Sequence, residues 1–482
     1  MRKSVLMLAA ATCACGSILG IGDLPLPPED EGGGDATSDV SSDAKGDASS
    51  DATVMDVTND VAIDAPLACD AGLTACGSAC VDVTKDLANC GSCNHACATL
   101  DAGTAGCVAS ACTLTVDEQA HKNWSTTTPG PYLAIWKDGT VLTSSAGSET
   151  SSLVDPTSGT ATSFSSGSDM EQRPTIYIPT TTTLSDGGPR TEAVIYHWGA
   201  FDAYAKNASL LWSNSVHGCC GGGSVPFAVD PSLGQMFTGH TVTVFDLDGD
   251  GADTFYQYAG PDGVLSVTAS WLYVTGADGY VYKFARSSLS TWAWQEPIGA
   301  ATSVDTATSF ALTSTQGIIT VSPTAGLLTR FEPNASTPWQ VNVVNPTAPI
   351  LASGGLLVLG EVSGETPSLC ALDETSGATK WCTPVADVIT DLFAGDDGVI
   401  YAAVANVAAV YGFDAASGTL RYTFSNVPYP VEMLLRDGHV YAYGSGELTS
   451  FDVPAQHYDA SSWPVRFHDN QRTLGTVSSL AY

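Results

Sequence analysis

Asp-Gly-Val-Ile-Tyr at residues 397–401 returns 40 residues later as Asp-Gly-His-Val-Tyr at residues 437–441. Looser copies, in which an Asp-Gly pair separates short apolar runs, occur at residues 136–141 and 277–282. An Asp-Gly pair in this setting is typical of a tight β-hairpin, because glycine adopts the left-handed conformation that the turn requires. The 40-residue interval is the length of one four-stranded unit in a repeated antiparallel fold.

A second repeat places Asp four residues before Gly, at residues 155–159, 373–377 and 414–418, with a weaker copy at 322–326 that lacks the Asp. In each full copy the Asp side chain is expected to bind the backbone ahead of it while Gly takes a positive φ. The sequence after residue 117 shows short alternating strands and no long helical period. We therefore predict an all-β fold over residues 115–482, a β-propeller of about seven or eight blades of about 45 residues each.

Residues 369–381, Leu-Cys-Ala-Leu-Asp-Glu-Thr-Ser-Gly-Ala-Thr-Lys-Trp, resemble the repeat of propellers named for pyrroloquinoline quinone (PQQ). The segment 463–475 resembles one usually found at the start of such propellers. We therefore expect it to return to the first blade and close the ring, which would remove an exposed sheet edge. The tryptophans, including Trp292, Trp294 and Trp381, are expected to pack between blades rather than stack on a ligand.

Residues 1–15 read as an export signal, with a basic start, a short apolar run and small residues at its end. The apolar run is too short to span a bilayer. The step Ala-Cys-Gly-Ser at residues 14–17 resembles a bacterial lipobox, which implies that Cys15 is lipidated and anchors the chain to the outer membrane, on its periplasmic or cell-surface face. Cys13 is a rival acceptor, and ordinary secretion with cleavage nearby is the alternative.

Residues 16–67 are rich in Asp, Ala and Ser and are predicted to be a disordered linker, because they hold too few large apolar residues to offset chain entropy. Its acids recur every fourth residue and extend it by repulsion. The whole chain has 51 acidic and 17 basic residues and a net charge of −34. It therefore lacks the basic surface that nucleic acid or anionic lipid would need, and membrane contact is expected through the lipid anchor only.

Residues 68–114 are predicted to form a small disulfide-rich module, since the chain is exported and its cysteine count there is even. The cysteine spacing resembles the Cys-rich modules of surface lipoproteins of myxobacteria. The pairing is not determined by the sequence, and a zinc site at Cys90, Cys93, His95 and Cys97 is the alternative. The eight cysteines are Cys69, Cys76, Cys80, Cys90, Cys93, Cys97, Cys107 and Cys112.

A candidate calcium loop spans residues 246–254, where acids alternate before a Gly. Alternating carboxylates around a sharp turn suit the hard cation Ca²⁺. The segment resembles the loops of integrin-type propeller repeats, which implies a structural Ca²⁺ held by the side chains of Asp246, Asp248 and Asp250 and by the carbonyl of Ala252. Thr254 stands where that family has Asp. The alternative is an acidic surface turn.

Two further cysteine pairs lie in the predicted propeller. Cys370 and Cys382 are placed almost symmetrically about the 375–377 turn, so a disulfide across the hairpin is predicted. Cys219 and Cys220 are adjacent and precede three glycines, which indicates a structural vicinal disulfide. Such a pair also occurs beside the cofactor in quinone-dependent alcohol dehydrogenases of the propeller type, which these residues resemble.

No serine-hydrolase elbow, zinc-protease motif or phosphate loop is present in the sequence. We therefore predict a non-enzymatic cell-envelope lipoprotein whose propeller binds or scaffolds a protein or carbohydrate partner. The alternative is a periplasmic dehydrogenase that uses PQQ and calcium, with Cys219 and Cys220 in a central pocket. The sequence does not favour PQQ, because no Asp-Glu-Asn set at cofactor-site spacing can be found.

Overall fold

The structure is a computed structural model of the chain. The regular elements of the described residues are all β-strands, in agreement with the all-β fold that the sequence predicted. In the part of the chain that it describes, no helix has the length and apolar character needed to cross a membrane. The described residues are 69–93, 97, 104–108, 111–117, 122–136, 138–144, 150–166, 173–176, 191–197, 200–215, 227–230, 235–238, 243–246, 253–255, 263–268, 270–276, 279–298, 309–322, 326–363, 366–461 and 464.

Five strands precede the first complete sheet. They are β1 (Thr74–Cys76), β2 (Ala79–Val81), β3 (Thr104–Val108), β4 (Ala111–Asp117) and β5 (Lys122–Thr127). The next sixteen form four antiparallel sheets in chain order. Blade 1 comprises β6 (Tyr132–Ile135), β7 (Val141–Ser144), β8 (Thr150–Val154) and β9 (Ala161–Ser165); blade 2 β10 (Arg173–Ile176), β11 (Ala193–His197), β12 (Ala200–Tyr204) and β13 (Leu210–Ser215); blade 3 β14 (Phe227–Asp230), β15 (Gln235–Thr238), β16 (Thr243–Asp246) and β17 (Asp253–Phe255); and blade 4 β18 (Gly263–Val267), β19 (Trp271–Gly276), β20 (Tyr280–Ala285) and β21 (Ser288–Pro297).

Fifteen more strands complete the fold, so that the described residues form eight sheets of four or more strands. These eight sheets of the described residues are the blades of a β-propeller. Blade 5 comprises β22 (Ser309–Leu312), β23 (Ile318–Ser322), β24 (Leu327–Phe331) and β25 (Trp339–Asn342); blade 6 β26 (Ile350–Ala352), β27 (Leu356–Ser363), β28 (Thr366–Asp373) and β29 (Thr379–Pro384); blade 7 β30 (Ile389–Ala394), β31 (Val399–Val404), β32 (Ala409–Asp414) and β33 (Leu420–Ser425); and blade 8 β34 (Pro430–Arg436), β35 (His439–Gly444) and β36 (Glu447–Asp452) together with β5.

The ring closes in blade 8, where β5 pairs antiparallel with β36 and supplies the fourth strand. The first strand of this blade, β34, contacts the first strands of blades 7 and 1, which completes the circle. The residues that were expected to close the ring, 463–475, lie outside the described residues except for Pro464, and the closing strand seen here is β5. The closing strand comes from just before blade 1, so the two ends of the repeat array are joined by main-chain hydrogen bonds within one sheet.

The cysteine-rich module is joined to the propeller by a parallel strand pair. Strand β4 lies beside β33, with Leu114 opposite Tyr422 and Asp117 opposite Ser425. Strand β3 pairs with β4 on the far side, so blade 7 becomes a six-stranded sheet. This pairing occupies the main-chain groups of the outer edge of β33, which would otherwise be free to pair with another chain.

Disulfides hold the module together, as predicted. The described bridges are Cys69–Cys80, Cys76–Cys93 and Cys90–Cys107, and Cys97 is also disulfide-bonded. The zinc alternative is excluded because Cys90, Cys93 and Cys97 are oxidised and offer no thiolate.

Buried carboxylates link the innermost strands of neighbouring blades. Asp391 in blade 7 accepts the backbone N–H of Met433 in blade 8 at 2.7 Å. Glu432 in blade 8 accepts the backbone N–H of Leu133 in blade 1 at 2.9 Å. Innermost strands of adjacent blades do not share a ladder, so these side chains satisfy amide groups that the sheets leave unpaired.

Candidate binding surfaces

The loops of the propeller divide between two opposite faces, because each blade is an antiparallel meander. The turns between the first and second strands and between the third and fourth strands lie on one face, here called the turn face. The links between the second and third strands, and between consecutive blades, lie on the other, here called the connecting face. A candidate site can be placed by the face on which its loop lies.

Three of the four Asp-Gly motifs lie on the turn face. Gly139, Gly398 and Gly438 each follow the first strand of a blade and have φ between 74° and 89°. The fourth copy differs, because Gly279 links the second and third strands of blade 4. The local pattern predicted the hairpin correctly at that position, but not its place in the blade.

The Asp-to-Gly repeat forms the turns between third and fourth strands. The carboxylate of Asp373 accepts the backbone N–H of Ser376 at 2.9 Å, and Gly377 has a φ of 70°. The Ser376 hydrogen bonds lower the pKa of Asp373 to about 2. Asp155 and Asp414 bind their turns in the same way, as predicted. The weaker copy is different, because its described ends, Ser322 and Gly326, lie at the second and third strands of blade 5.

These turns receive the tryptophans of the preceding blades. Trp381 of blade 6 donates its indole N–H to the main-chain oxygen of Ala415 in blade 7, 3.0 Å away. Trp124 of blade 8 binds Pro156 of blade 1 at 2.8 Å in the same way. The prediction of blade packing is thus confirmed for Trp381, while Trp292 is 43% exposed and packs edge-on against Tyr282.

A strap formed by residues 453–461 crosses the turn face from blade 8 to blade 6. His457 accepts the backbone N–H of Asp396, and Asp459 donates its own N–H to Ala394, both at 2.9 Å. Tyr458 accepts the N–H of Leu435 at 3.0 Å. At the far end, the Ser461 hydroxyl donates to the main-chain oxygen of Leu351 at 2.6 Å. The strap therefore covers the inner hairpins of three blades.

Two clefts with charged side chains in their walls open on the turn face. One, of about 500 Å³, lies between blades 6 and 7 and is lined by Asp397, Lys380 and Arg421. Burial raises the pKa of Asp397, which accepts the Tyr401 hydroxyl at 2.9 Å. Both cations are already paired, Lys380 with Asp373 and Arg421 with Asp414. The cations in the wall of this cleft are therefore already neutralised by acids of the protein itself.

The other cleft, of about 380 Å³, lies at the ring closure between blades 8 and 1. His439 Nδ1 lies 2.7 Å from the carboxylate of Asp452, and the Asn123 amide donates to the same carboxylate oxygen at 2.7 Å. Arg436 in its wall is bound to Asp437 and to the main-chain oxygen of Trp136. These contacts join the closing strand β5 to its blade and explain the polar side chains without a ligand.

On the connecting face, three successive links between blades expose apolar side chains. This group, here called the apolar rim, consists of Val344 (49% exposed), Val388 (40%) and Tyr429 (51%) on the links, together with Val431 (42%) at the start of β34. The links are neighbours: Thr347 and Ile389 both approach Gly360, and the Thr390 hydroxyl donates to the oxygen of Pro430 at 2.8 Å. Side chains exposed on three adjacent links form a surface, whereas single exposed apolar residues are common on any protein.

Tyr429 has an unfavourable backbone conformation, with a φ of 36°. A bulky residue rarely adopts a positive φ, and the cost is about 1–3 kcal/mol. The conformation is maintained by close packing, because a Cβ at Gly444 would overlap the carbonyl oxygens of Pro428 and Tyr429. The fold therefore sustains a strained link that leaves an aromatic ring exposed, a combination that is typical of functional sites.

Several predicted site residues lie outside the described residues. Cys15, Cys219 and Cys220 are among them, as are Asp248, Asp250 and Ala252 of the candidate calcium loop. The ends of that loop are described: Asp246 ends β16, and Thr254 lies in β17 opposite Val244. These two strands are the third and fourth of blade 3, and the residues between them, 247–252, lie outside the described residues.

Among the described residues, one group has the residue types and spacing of a metal site: Glu361, Cys370 and Cys382, whose ligand atoms lie within 4.8 Å of one another. The two cysteines are joined in a disulfide, as the sequence predicted. An oxidised pair offers no thiolate, so this group cannot hold a metal in the form present here.

The fold and its two surfaces define a β-propeller with a docked disulfide module. No known protein family matches the chain, and no curated protein matches its sequence significantly. Among solved structures, BamB from Moraxella catarrhalis is similar over 69% of this chain and 99% of its own, with 14% identity and a TM-score of 0.50. The computationally designed protein Ika8 is similar over 69% of this chain and 98% of its own, with 13% identity and a TM-score of 0.51. At such identities the similarity shows the fold alone.

Proposed function

We propose that this chain is a non-enzymatic protein of the cell envelope whose propeller binds a protein partner through the apolar rim. The observation that carries the proposal is the strained, exposed Tyr429 among three exposed valines. Exposed aromatic and aliphatic side chains that cluster on one face supply the desolvated centre of a protein interface. The turn face is less suited, because the strap covers its inner part and the charges of its clefts are paired.

A protein partner fits the rim better than a carbohydrate does. Carbohydrate binding would need exposed aromatic rings grouped on one surface, but among the residues whose burial is described the exposed rings lie in separate places. Tyr280 and Trp292 belong to blade 4, whereas Tyr429 lies between blades 7 and 8. Three of the four rim side chains are valines, which bind through shape and apolar area. The partner is therefore expected to present an apolar segment to the rim.

The rim has an acidic residue, Asp387, at its border. Asp387 precedes Val388 and lies at the same link, where its carboxylate accepts the Asn406 amide at 2.9 Å. The chain as a whole carries a net charge of −34. Because a strongly negative protein attracts positive surfaces over a distance of about one Debye length, we expect basic residues around the apolar segment of the partner.

The proposal extends to the location of the protein. In it, residues 1–15 direct export, Cys15 carries the lipid, and residues 16–67 hold the propeller away from the outer membrane. The candidate calcium loop is a structural site in blade 3, with ligands Asp246, Asp248, Asp250, Ala252 and Thr254. The support for these assignments is the sequence pattern and, for the loop, its position between two paired strands.

A photo-crosslinking amino acid placed at position 429 of the full chain in intact cells tests the binding surface. We expect a discrete crosslinked product, which the second substitution Val388→Glu abolishes because it places a charge inside the apolar contact. Leu210 is a matched control position, since it is 55% exposed but lies on the outer strand of blade 2. The proposal fails if the crosslinker at position 210 yields the same product. It also fails if Leu210→Glu abolishes the crosslink from position 429 as completely as Val388→Glu does.

A further inference from the structure

The disulfide of blade 6 differs from those of the module in its exposure. Cys370 and Cys382 lie directly opposite each other in strands β28 and β29, with their Cα atoms 4.1 Å apart. Cys370 is 2% exposed, whereas Cys382 is exposed. Among the cysteines whose burial the structure describes, which do not include Cys112, Cys382 is the only exposed one. A reagent in solution therefore has access to one particular sulfur of this bridge.

A carboxyl group lies against the other sulfur. Glu361 Oε1 is 3.4 Å from Cys370 Sγ. A disulfide sulfur carries no hydrogen, so a hydrogen bond across this contact requires a protonated carboxyl group or a reduced cysteine. Burial raises the pKa of Glu361, which favours the protonated form. The buried sulfur thus has beside it a carboxyl group from which it could take a proton as it leaves.

We propose that the Cys370–Cys382 bridge is a reversible thiol–disulfide exchange site, in which a dithiol attacks Cys382 and Glu361 protonates the departing Cys370. Exchange proceeds by in-line attack of a thiolate on one sulfur, and the rate rises when the leaving thiolate is stabilised. Exposure of Cys382 selects the attacked atom. The Glu361 carboxyl group stabilises the leaving atom.

The reaction balances with a dithiol as the reductant. Its first thiolate forms a bond to Cys382 Sγ, the bond between Cys382 and Cys370 breaks, and Cys370 leaves with the electron pair and takes the proton of Glu361. The second thiol of the reductant then attacks the mixed disulfide and releases the Cys382 thiolate, which takes up a proton. The reductant becomes a disulfide, the protein gains two thiols, and Glu361 recovers its proton from solvent.

The hairpin keeps the two sulfurs together after reduction. Strands β28 and β29 are paired from Ser368 opposite Pro384 to Leu372 opposite Thr379. Trp381 also fixes β29 to blade 7 through its hydrogen bond to Ala415. We therefore expect β28 and β29 to remain paired when the bridge opens. The thiols of Cys370 and Cys382 then stay close together, so that the reverse reaction can re-oxidise them.

Differential alkylation of the folded, full chain tests the proposal. The protein is treated with a limiting amount of dithiothreitol, its thiols are alkylated, and the labelled cysteines are identified by mass spectrometry. We expect Cys370 and Cys382 to be labelled before the module cysteines, which act as internal controls. Equal or earlier opening of the Cys69–Cys80, Cys76–Cys93 or Cys90–Cys107 bridges would overturn the proposal.

Two single-cysteine variants test which sulfur is attacked. Cys370→Ser leaves Cys382 as a free thiol, which should form a mixed disulfide readily with oxidised glutathione. Cys382→Ser leaves the buried Cys370, which should react at least about tenfold more slowly, because exchange depends on access to the sulfur. Equal rates for the two variants would contradict the assignment.

The role of the carboxyl group is tested by Glu361→Gln, which keeps the shape of the side chain but has no acidic proton. We expect reduction of the bridge by dithiothreitol to slow by about tenfold, since the departing Cys370 loses its proton source. The thermal midpoint of the oxidised protein reports whether the variant is folded, and a matched change at a distant acid, Glu296→Gln in β21 of blade 4, should leave the reduction rate unchanged. If both variants are reduced at the wild-type rate, Glu361 has no part in the reaction.

Discussion

Arg330 donates a guanidinium N–H to the main-chain oxygen of Glu374 in the next blade, 2.7 Å away. The same oxygen accepts the indole N–H of Trp339 at 2.9 Å. Arg330 is only 6% exposed and also pairs with the Glu332 carboxylate at 2.7 Å. A buried cation and a tryptophan therefore share one carbonyl oxygen and fasten blade 5 to blade 6.

The preceding interface, between blades 4 and 5, repeats this arrangement with a lysine. Lys283 and Trp294 both donate to the main-chain oxygen of Pro333, at 2.6 and 2.9 Å. The Lys283 ammonium lies 3.6 Å from the centre of the Trp271 ring. Burial lowers the pKa of Lys283, and none of the described residues provides a carboxylate within salt-bridge distance of it. The two interfaces thus differ in whether the buried cation is neutralised.

Arg330→Met is expected to destabilise the propeller by about 3 kcal/mol at pH 7, because Glu332 and Glu374 lose the cation that neutralises them. Lys283→Met is the matched control, with an expected loss of about 1 kcal/mol, since it removes a hydrogen bond but strands no charge. Urea denaturation midpoints of the two variants and the wild type measure the difference. A larger loss for Lys283→Met would show that the ion pairs contribute little.

The free energy of unfolding that Arg330→Met removes is expected to depend on pH, because Glu374 titrates differently without Arg330. Burial raises the pKa of Glu374 above its ordinary value of 4.5, and Arg330 counteracts that rise. Without Arg330 the folded-state pKa rises further, so the folded state binds a proton more tightly than the unfolded state and loses stability as the pH increases. The deficit should therefore be larger at pH 7 than at pH 4, as denaturation at the two pH values will show.

Gly377→Ala is expected to destabilise the protein by about 3 kcal/mol, because the new Cβ would lie 2.8 Å from the Trp339 ring and the residue has a φ of 70°. Gly398→Ala separates the two causes. Gly398 has a φ of 74° but no atom within 4 Å of an added Cβ, so only the backbone cost of about 1 kcal/mol is expected. Thermal midpoints compare the variants, and equal losses would mean that the tryptophan contact adds nothing.

Cys15 is expected to carry the lipid anchor. Cells grown with labelled palmitate should incorporate the label into the wild-type protein, and Cys15→Ser should lose the label and leave the membrane fraction, because the anchor is removed. The variant Cys13→Ser is the control and should keep both. Label retained in Cys15→Ser but lost in Cys13→Ser would move the anchor to the rival position.

Calcium is expected to stabilise the protein through the 246–254 loop. At a free Ca²⁺ concentration about 100 times the dissociation constant, the gain should be about 2.7 kcal/mol. Asp248→Asn should reduce this gain, because it removes one ligand charge, while Asp51→Asn in the linker should not. Thermal unfolding with Ca²⁺ and with a chelator measures the effect, and identical curves would rule out the site.

The local features of the fold followed from the sequence. The Asp-to-Gly repeat predicted the turns at residues 155–159, 373–377 and 414–418, because side chain, glycine and strand ends all lie within a few residues. The Cys370–Cys382 bridge was predicted for the same reason, since the hairpin register follows from the length of its turn. The repeat length then limited the fold to a propeller of seven or eight blades.

Contacts between distant segments were decided by the tertiary structure alone. The pairing of β5 with β36, the parallel docking of β4 on β33, and the course of the strap all join residues that no local pattern relates. The backbone strain of Tyr429 depends on the close approach of Gly444, which the sequence does not show. A local strand-and-turn motif determines where the chain forms a hairpin. Main-chain hydrogen bonds, however, are the same for every residue and do not specify which strand edges pair. Only the packing of whole blades determines which edges meet and which side chains remain exposed.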